Sequence, residues 1–253
     1  MINRLKEKLR NYVLQELQEG LKQHDKFPHL RRYVIELNDV KELKKIFNWR
    51  SDPILDGPTL CEFVSVVDVN ERRIRDAECI GSVVCNSNPS VVLEIGTSTG
   101  HTTALIASNA PRAHVYTLNI PPEGIAAGEG GVFTTVAPSR EEIGTYYREK
   151  GLTNITQILA NSATWEPDIG TVDVAFVDGC HDTEFVYNDT RKILRMTKPG
   201  SFILWHDFNP NLTGNYDWIN SVCLGVEELY GDRLLNGPIF HVRDSWVGIY
   251  RVI

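Results

Sequence analysis

The chain has 253 residues, 42% of them hydrophobic and 23% charged, with a formal net charge of −7. That length can bury a sizeable core, and the composition is that of an ordinary folded soluble chain rather than a disordered or fibrous one. The acidic balance argues against duplex DNA or another large polyanion as partner, because neutralising phosphates takes clustered Lys and Arg, and the densest basic stretches, Arg4–Arg10 and Lys41–Lys45, are interleaved with acids.

In chain order, Ile2, Leu5, Leu9, Val13, Leu17 and Leu21 recur at spacings of three and four, which predicts an amphipathic helix over 2–21. A second helix follows the capping types Asn38-Asp39, over VKELKKIFNW. Segment 51–67 is punctuated by Pro and Gly and reads as irregular. VNERRIRDAECIGSVVC then predicts a helix stopped by Asn86–Pro89. Residues 1–67 are expected to form a helical extension that packs on the body or makes a homodimer contact, with substrate capping as the alternative. The main domain is placed at 68–253.

From residue 91 apolar runs alternate with helical patterns. Strands are predicted at VVLEI (91–95), HVYTLNI (114–120), ITQILA (155–160), VDVAFVD (172–178) and SFILWHD (201–207), with helices at Thr102–Ser108, Arg140–Lys150 and Thr183–Met196. The second of these opens on Ser139…Glu142, a capping box, and ends at Gly151. After a helix at Asp217–Tyr230, PIFHV (238–242) and WVGIYRV (246–252) are joined by three residues, a link that permits a hairpin and no crossover. The expected fold is therefore α/β: a doubly wound, mostly parallel, seven-stranded Rossmann-like sheet closed by a C-terminal antiparallel hairpin. The loop 121–138, with four glycines and neither helical nor strand period, is expected to be a cover near a ligand or a plain surface excursion.

The five cysteines (Cys61, Cys79, Cys85, Cys180, Cys223) have no C-x-x-C spacing and read as reduced, mostly buried thiols. No apolar run approaches the roughly 18–20 residues of a bilayer span, and the first residues lack the apolar stretch of a secretory signal. A cytoplasmic location without membrane contact is expected.

The segment Glu94-Ile-Gly96-Thr-Ser98-Thr-Gly100 lies where a buried strand turns into a helix. A dinucleotide fingerprint would place glycines at 96, 98 and 101 for close approach of a pyrophosphate; here those positions are Gly96, Ser98 and His101, and Glu94 would repel a diphosphate. LEIGTSTGHTT instead resembles motif I of class I S-adenosylmethionine (SAM)-dependent O-methyltransferases, whose form is acid-x-Gly-x-x-x-Gly with Ser or Thr at the helix start. The terminal hairpin suits that class. The resemblance implies SAM as cofactor, held by Glu94, Gly96, Thr97, Ser98, Gly100 and Thr102, with Glu94 matching the cationic amino end. Asn119 stands where relatives carry an acid for the ribose, and Asn161 and Ser162 stand near the usual Asp for the adenine edge; all three are cofactor candidates, and the departures imply weaker binding.

The fourth and fifth strands end in Asp178-Gly179-Cys180-His181 and His206-Asp207-Phe208-Asn209, at the sheet edge where ligands of doubly wound folds sit. Two convergent carboxylates could bind a hard divalent cation. DGCHDTEF, Asp189, Lys198-Pro199-Gly200 and Asp207 resemble the metal-dependent macrocin- and mycinose-type sugar O-methyltransferases, with Ser201 for a second glycine. That resemblance implies Asp178 and Asp207 as ligands of Mg or Mn and His181 as general base, with Asp178 also counted among the catalytic and cofactor contacts. His206 replaces a second acid of that family and is a further ligand candidate; its imidazole weakens the case for magnesium and admits manganese, iron, zinc or no metal. Asn209 is another candidate ligand. His101, His114 and His241 read as structural. The implied function is methylation of a hydroxyl on a small-molecule acceptor. A metal-independent O- or N-methyltransferase, an oxygenase using His181, Asp178 and His206, and a non-catalytic SAM-binding protein remain as alternatives. Trp165, Tyr216 and Trp218 are candidates for an aromatic pocket wall.

Overall fold

A computed structural model describes residues 26–55, 67–134 and 137–253. The predicted helix 2–21 and Cys61 lie outside the described residues. The strands are β1 (Val34–Leu37), β2 (Val91–Ile95), β3 (His114–Asn119), β4 (Ile155–Leu159), β5 (Val174–Val177), β6 (Phe202–Trp205), β7 (Ile239–Val242) and β8 (Gly248–Arg251). The helices are α1 (Pro28–Tyr33), α2 (Val40–Phe47), α3 (Val67–Ser87), α4 (His101–Asn109), α5 (Pro122–Ala126), α6 (Thr145–Glu149), α7 (Thr183–Met196) and α8 (Asp217–Gly231).

One sheet runs in the order β1-β7-β8-β6-β5-β2-β3-β4. β4, β3, β2, β5 and β6 are parallel neighbours, and β8 is antiparallel to both β6 and β7. This is the α/β, mostly parallel arrangement with an antiparallel C-terminal hairpin. The strand count differs from seven, because Val34–Leu37, inside the segment expected to be all-helical, adds an eighth strand parallel to β7. VIEL is short and lacks a buried alternating face (only Leu37 is buried), so its local pattern carries no strand signal; the open edge of β7 supplies the backbone partners.

Side-chain alternation along the strands feeds two cores. Leu93, Ile95, Ala175, Val177, Ile203 and Trp205 pack under α1, α7 and α8, through residues such as Leu30, Val186, Ile193 and Val226. Val92, Val174, Phe176, Phe202 and Leu204 pack under α2, α3 and α4, through Leu43, Ile80, Val83 and Ile106. Both faces of the central strands are therefore dry, which is why they read as continuous apolar runs.

Caps place the N-terminal helices. Asp39 accepts from the Glu42 N–H, and the Glu42 carboxylate reaches back to the Asn38 N–H, a reciprocal cap that starts α2 where expected. Glu227 on α8 accepts from the N–H groups of His29 and Leu30, placing a carboxylate at the start of α1. Two other expectations shift. The Ser139–Glu142 box forms, yet regular helix begins only at Thr145, because Gly144 takes a left-handed φ of 71° and hydrogen-bonds the Ser98 carbonyl. The loop 121–138 contains a helical turn, α5, opened by Pro122; residues 135–136 are outside the described set. Among the described residues no helix is long and apolar enough to cross a membrane, and Cys79, Cys85, Cys180 and Cys223 are free thiols.

Candidate active site

The order of strands reverses between β2 and β5, and a crevice opens outside their carboxyl ends, as expected at such a switch point. A cavity of about 460 Å³ fills it. Gly96 leaves β2 with φ 105°, and a Cβ there would lie 2.0 Å from the Asp178 carbonyl oxygen, so only glycine lets the two strand exits touch. Gly100 (φ 92°) is demanded by α6: a Cβ would press on Tyr147 at 2.8 Å and on the Gly144 Cα at 2.9 Å. Both glycines thus shape the turn through packing, and the turn they shape, Gly96 to Thr102, lines the cavity.

The polar groups around the turn hold one another in place. The Ser98 N–H donates to Asn119 Oδ1 at 2.9 Å while Asn119 Nδ2 donates to the Ile120 carbonyl. Thr97 Oγ1 lies 2.7 Å from Thr117 Oγ1 and accepts from Gln157 Nε2. Glu94 differs from expectation. It does not line the cavity; it is fully buried beneath the turn, where Oε2 accepts from Thr103 and Thr117 hydroxyls and Oε1 has no partner among the described residues. The reason is strand alternation: Glu94 points into the layer under α4, with Val92. Burial pushes its pKa up to about 8, against the pull of the two hydroxyls.

At the end of β4, Asn161 and Ser162 line the cavity. Lys192 of α7 fixes this segment by donating to the carbonyls of Ser162, Ala163 and Trp165 at 2.6, 2.9 and 2.8 Å, and Ser162 Oγ donates to Asp189. Asp189 is thereby a buried support, its pKa pushed up to about 7 by burial. Trp165, Tyr216 and Trp218 do not line the cavity; Tyr216 packs on Trp218 and Trp246 instead.

Asp178, His181, His206 and Asp207 converge so that one ligand-type atom from each lies within 4.8 Å of the others. Their contacts close a ring in which carboxylate and imidazole alternate. Asp178 Oδ1 is 3.4 Å from His181 Nε2 and 3.1 Å from His206 Nδ1; Asp207 Oδ2 is 3.1 Å from His181 Nε2 and 3.3 Å from His206 Nδ1. Asp207 reaches the ring through a left-handed φ of 52°, which turns the chain sharply after β6. Burial alone would raise Asp178 and Asp207, but the adjacent rings, His206 foremost, outweigh it and hold both carboxyls below their ordinary range. Burial works against the charge on His206 and His181, and the two carboxylates outweigh it, raising both. Asn209 does not line the cavity; its side chain accepts from the Asn211 N–H and donates to the Ser245 carbonyl.

Several neighbours of the ring have no sequence signal. Asp76 of α3 lies 3.4 Å from His206 Nε2 and accepts from the Trp246 N–H. The Phe133 carbonyl lies 3.1 Å from His181 Nδ1, and Asp182 accepts from the Val132 and Phe133 N–H groups at 2.7 and 3.0 Å, clamping the loop onto the site. Arg73, Asp76, Ala77 and Ile80 give α3 one wall of the cavity. These contacts join segments more than 40 residues apart, and nothing local announces them.

A family model described as a methyltransferase domain matches residues 93–208, from within β2 to just past the ring. No curated protein matches the chain in sequence. Among solved structures, the O-methyltransferase NovP is similar at 16% identity and a TM-score of 0.54, over 72% of this chain and 80% of NovP. The SAH-bound methyltransferase PaMTH1 of Podospora anserina is similar at 18% identity and a TM-score of 0.52, over 85% of this chain and 95% of that one. At such identities the structural likeness speaks to the fold alone, which is that of class I methyltransferases. The domain match spans less than half of the chain, and the stretch it covers holds both the glycine turn and the carboxylate–histidine ring.

Proposed function

We propose that this chain methylates a hydroxyl of a small-molecule acceptor, using SAM and a divalent cation held by Asp178, Asp207 and His206. One observation carries the reading: a single cavity is lined at once by the glycine turn and by the carboxylate–histidine ring, so a donor held at the turn would face the ring. Transfer breaks the sulfur–methyl bond, forms a methyl–oxygen bond and releases the hydroxyl proton, so holding the two reactants in line is the main demand on the protein.

The residues suit those tasks. The Ser98–Asn119 and Thr97–Gln157 hydrogen bonds stiffen the turn, and Lys192 stiffens the segment at Asn161 and Ser162, giving a donor a rigid bed. Asn119 lacks the charge of a ribose-binding acid and already accepts from Ser98, which fits a modest cofactor affinity. Ile80, Ile95, Leu105, Leu118 and Phe185 line the cavity with apolar surface that excludes water around the reacting atoms. The donor set fits a cation: His206 Nδ1 is buried between two carboxylates yet has no hydrogen-bond partner in direction as well as distance among the described residues. A bound cation would lower the pKa of an acceptor hydroxyl at neutral pH. The family resemblance implies His181 as the residue that removes the hydroxyl proton; once a cation has lowered the pKa of that hydroxyl, solvent can take the proton instead.

The test is a thermal melt of the chain with S-adenosylhomocysteine (SAH). At about 100 times Kd the ligand should add roughly 2.7 kcal/mol, a rise of several degrees in Tm. No shift at millimolar SAH would overturn the SAM reading. Turnover that survives EDTA undiminished would instead leave a metal-independent methyltransferase.

A further inference from the structure

We infer that Asp178, His181, His206 and Asp207 together form a two-histidine, two-carboxylate centre for a first-row transition ion of the Mn, Fe, Co or Zn class, in which His181 is a ligand rather than a base. The inference rests on the metal reading above and deepens it in two respects: the number of nitrogen donors, and the ion they select.

The geometry around each imidazole carries it. A histidine ligand needs one nitrogen directed at the ion as an acceptor and the other tied to an outside acceptor that fixes the tautomer. His181 meets this: Nδ1 faces the Phe133 carbonyl at 3.1 Å, which leaves Nε2 to face the ring. His206 meets it in the opposite sense, with Nε2 facing Asp76 at 3.4 Å and Nδ1 facing the ring. Each inward nitrogen stands 3.1–3.4 Å from both carboxylates. Such edges are those of four donors about 2.1 Å from one shared centre, the usual metal–nitrogen and metal–oxygen distance. In a ring of plain ion pairs both imidazoles would aim N–H bonds at oxygens; His181 Nε2 is so placed toward Asp178 Oδ1, but His206 Nδ1 has no such partner among the described residues.

A set of two nitrogens and two oxygens suits Mn, Fe, Co and Zn, whereas magnesium prefers oxygen donors throughout. With Nε2 directed at the centre and Nδ1 at the Phe133 carbonyl, His181 has no nitrogen left to accept a substrate proton.

The experiment titrates the EDTA-stripped full chain with Co²⁺, Mn²⁺ and Mg²⁺, reading heat and, for Co²⁺, the visible absorption of a low-coordinate ion. Expected are Co²⁺ and Mn²⁺ binding at least about 100-fold tighter than Mg²⁺, and His181→Ala weakening Co²⁺ binding by at least about 10-fold with SAH binding retained as the check on folding. His206→Asp restores an oxygen donor and should move preference toward Mg²⁺. Mg²⁺ binding as tight as Co²⁺ would overturn the inference while leaving the metal reading intact. Unchanged Co²⁺ affinity in His181→Ala, with Asp178→Asn abolishing it, would remove His181 from the ligand set. No binding of any of the three ions would overturn this inference and the metal reading together, and SAH binding would still decide the methyl-transfer reading separately.

Discussion

Glu94 shows how a motif residue can act through its burial. Its carboxyl sits beneath the turn with a pKa near 8, well above the ordinary 4.5, because burial disfavours the charged form. Between those two values the folded chain keeps a proton that the unfolded chain has lost. Stability from this group is therefore complete below about pH 4.5 and declines as pH rises toward 8. Glu94→Gln keeps an acceptor for Thr103 and Thr117 and cannot ionise. Urea melts at pH 5.5 and 8 should show wild type losing on the order of 1 kcal/mol or more relative to the variant; superimposable losses would mean the carboxyl is not held neutral. Gly96→Ala tests the other half of the turn. With a Cβ placed 2.0 Å from the Asp178 carbonyl and φ at 105°, it should cost about 3 kcal/mol or more and displace Asp178 from the ring. A variant as stable as wild type would show that the strand exits can separate freely.

The elements that dress the sheet are tied by single side chains. Asp182 accepts two N–H groups from the segment after α5, and Gly131 beside it leaves no room for a Cβ between Cys180 and Asp182. Asp182→Ala should leave far-UV dichroism unchanged, speed proteolysis within 121–138, and weaken SAH binding by roughly tenfold, the worth of one or two charge-assisted hydrogen bonds. Unaltered cleavage and affinity would mean the loop holds itself. Glu227 plays the same part for α1. Removing it with Glu227→Ala leaves the His29 and Leu30 N–H groups without their acceptor, a cost of about 1–2 kcal/mol that should appear as faster amide exchange over 28–33. Both carboxylates lie far in sequence from the amides they cap, so the caps of α1 and of the 130–134 segment could not be read locally, whereas the Asn38–Glu42 cap of α2 could.

At the scale of the whole molecule, the reversal of strand order between β2 and β5 gathers the turn, Asp178 and Asp207, and α3 closes the crevice with Arg73, Asp76 and Ile80. Ligand binding should therefore slow amide exchange in the middle of α3 as well as in the turn. Protection confined to 94–102 would show that α3 is a bystander.

Much of this architecture is legible in the amino-acid sequence. Apolar runs of four to six residues, the glycine turn and the three-residue link before the last strand depend on local chemistry, and they determined the parallel sheet, its antiparallel end, and the candidacy of Gly96, Asp178, His181, His206 and Asp207. Only the tertiary structure decided the rest. It turned Glu94 inward, because facing follows the pleat and not the motif. It drew Val34–Leu37 onto the edge of β7, because a sheet edge supplies partners that a strand's own composition need not request. It set the second nitrogen of each histidine against Phe133 and Asp76, because the direction of an imidazole is fixed by neighbours remote in sequence.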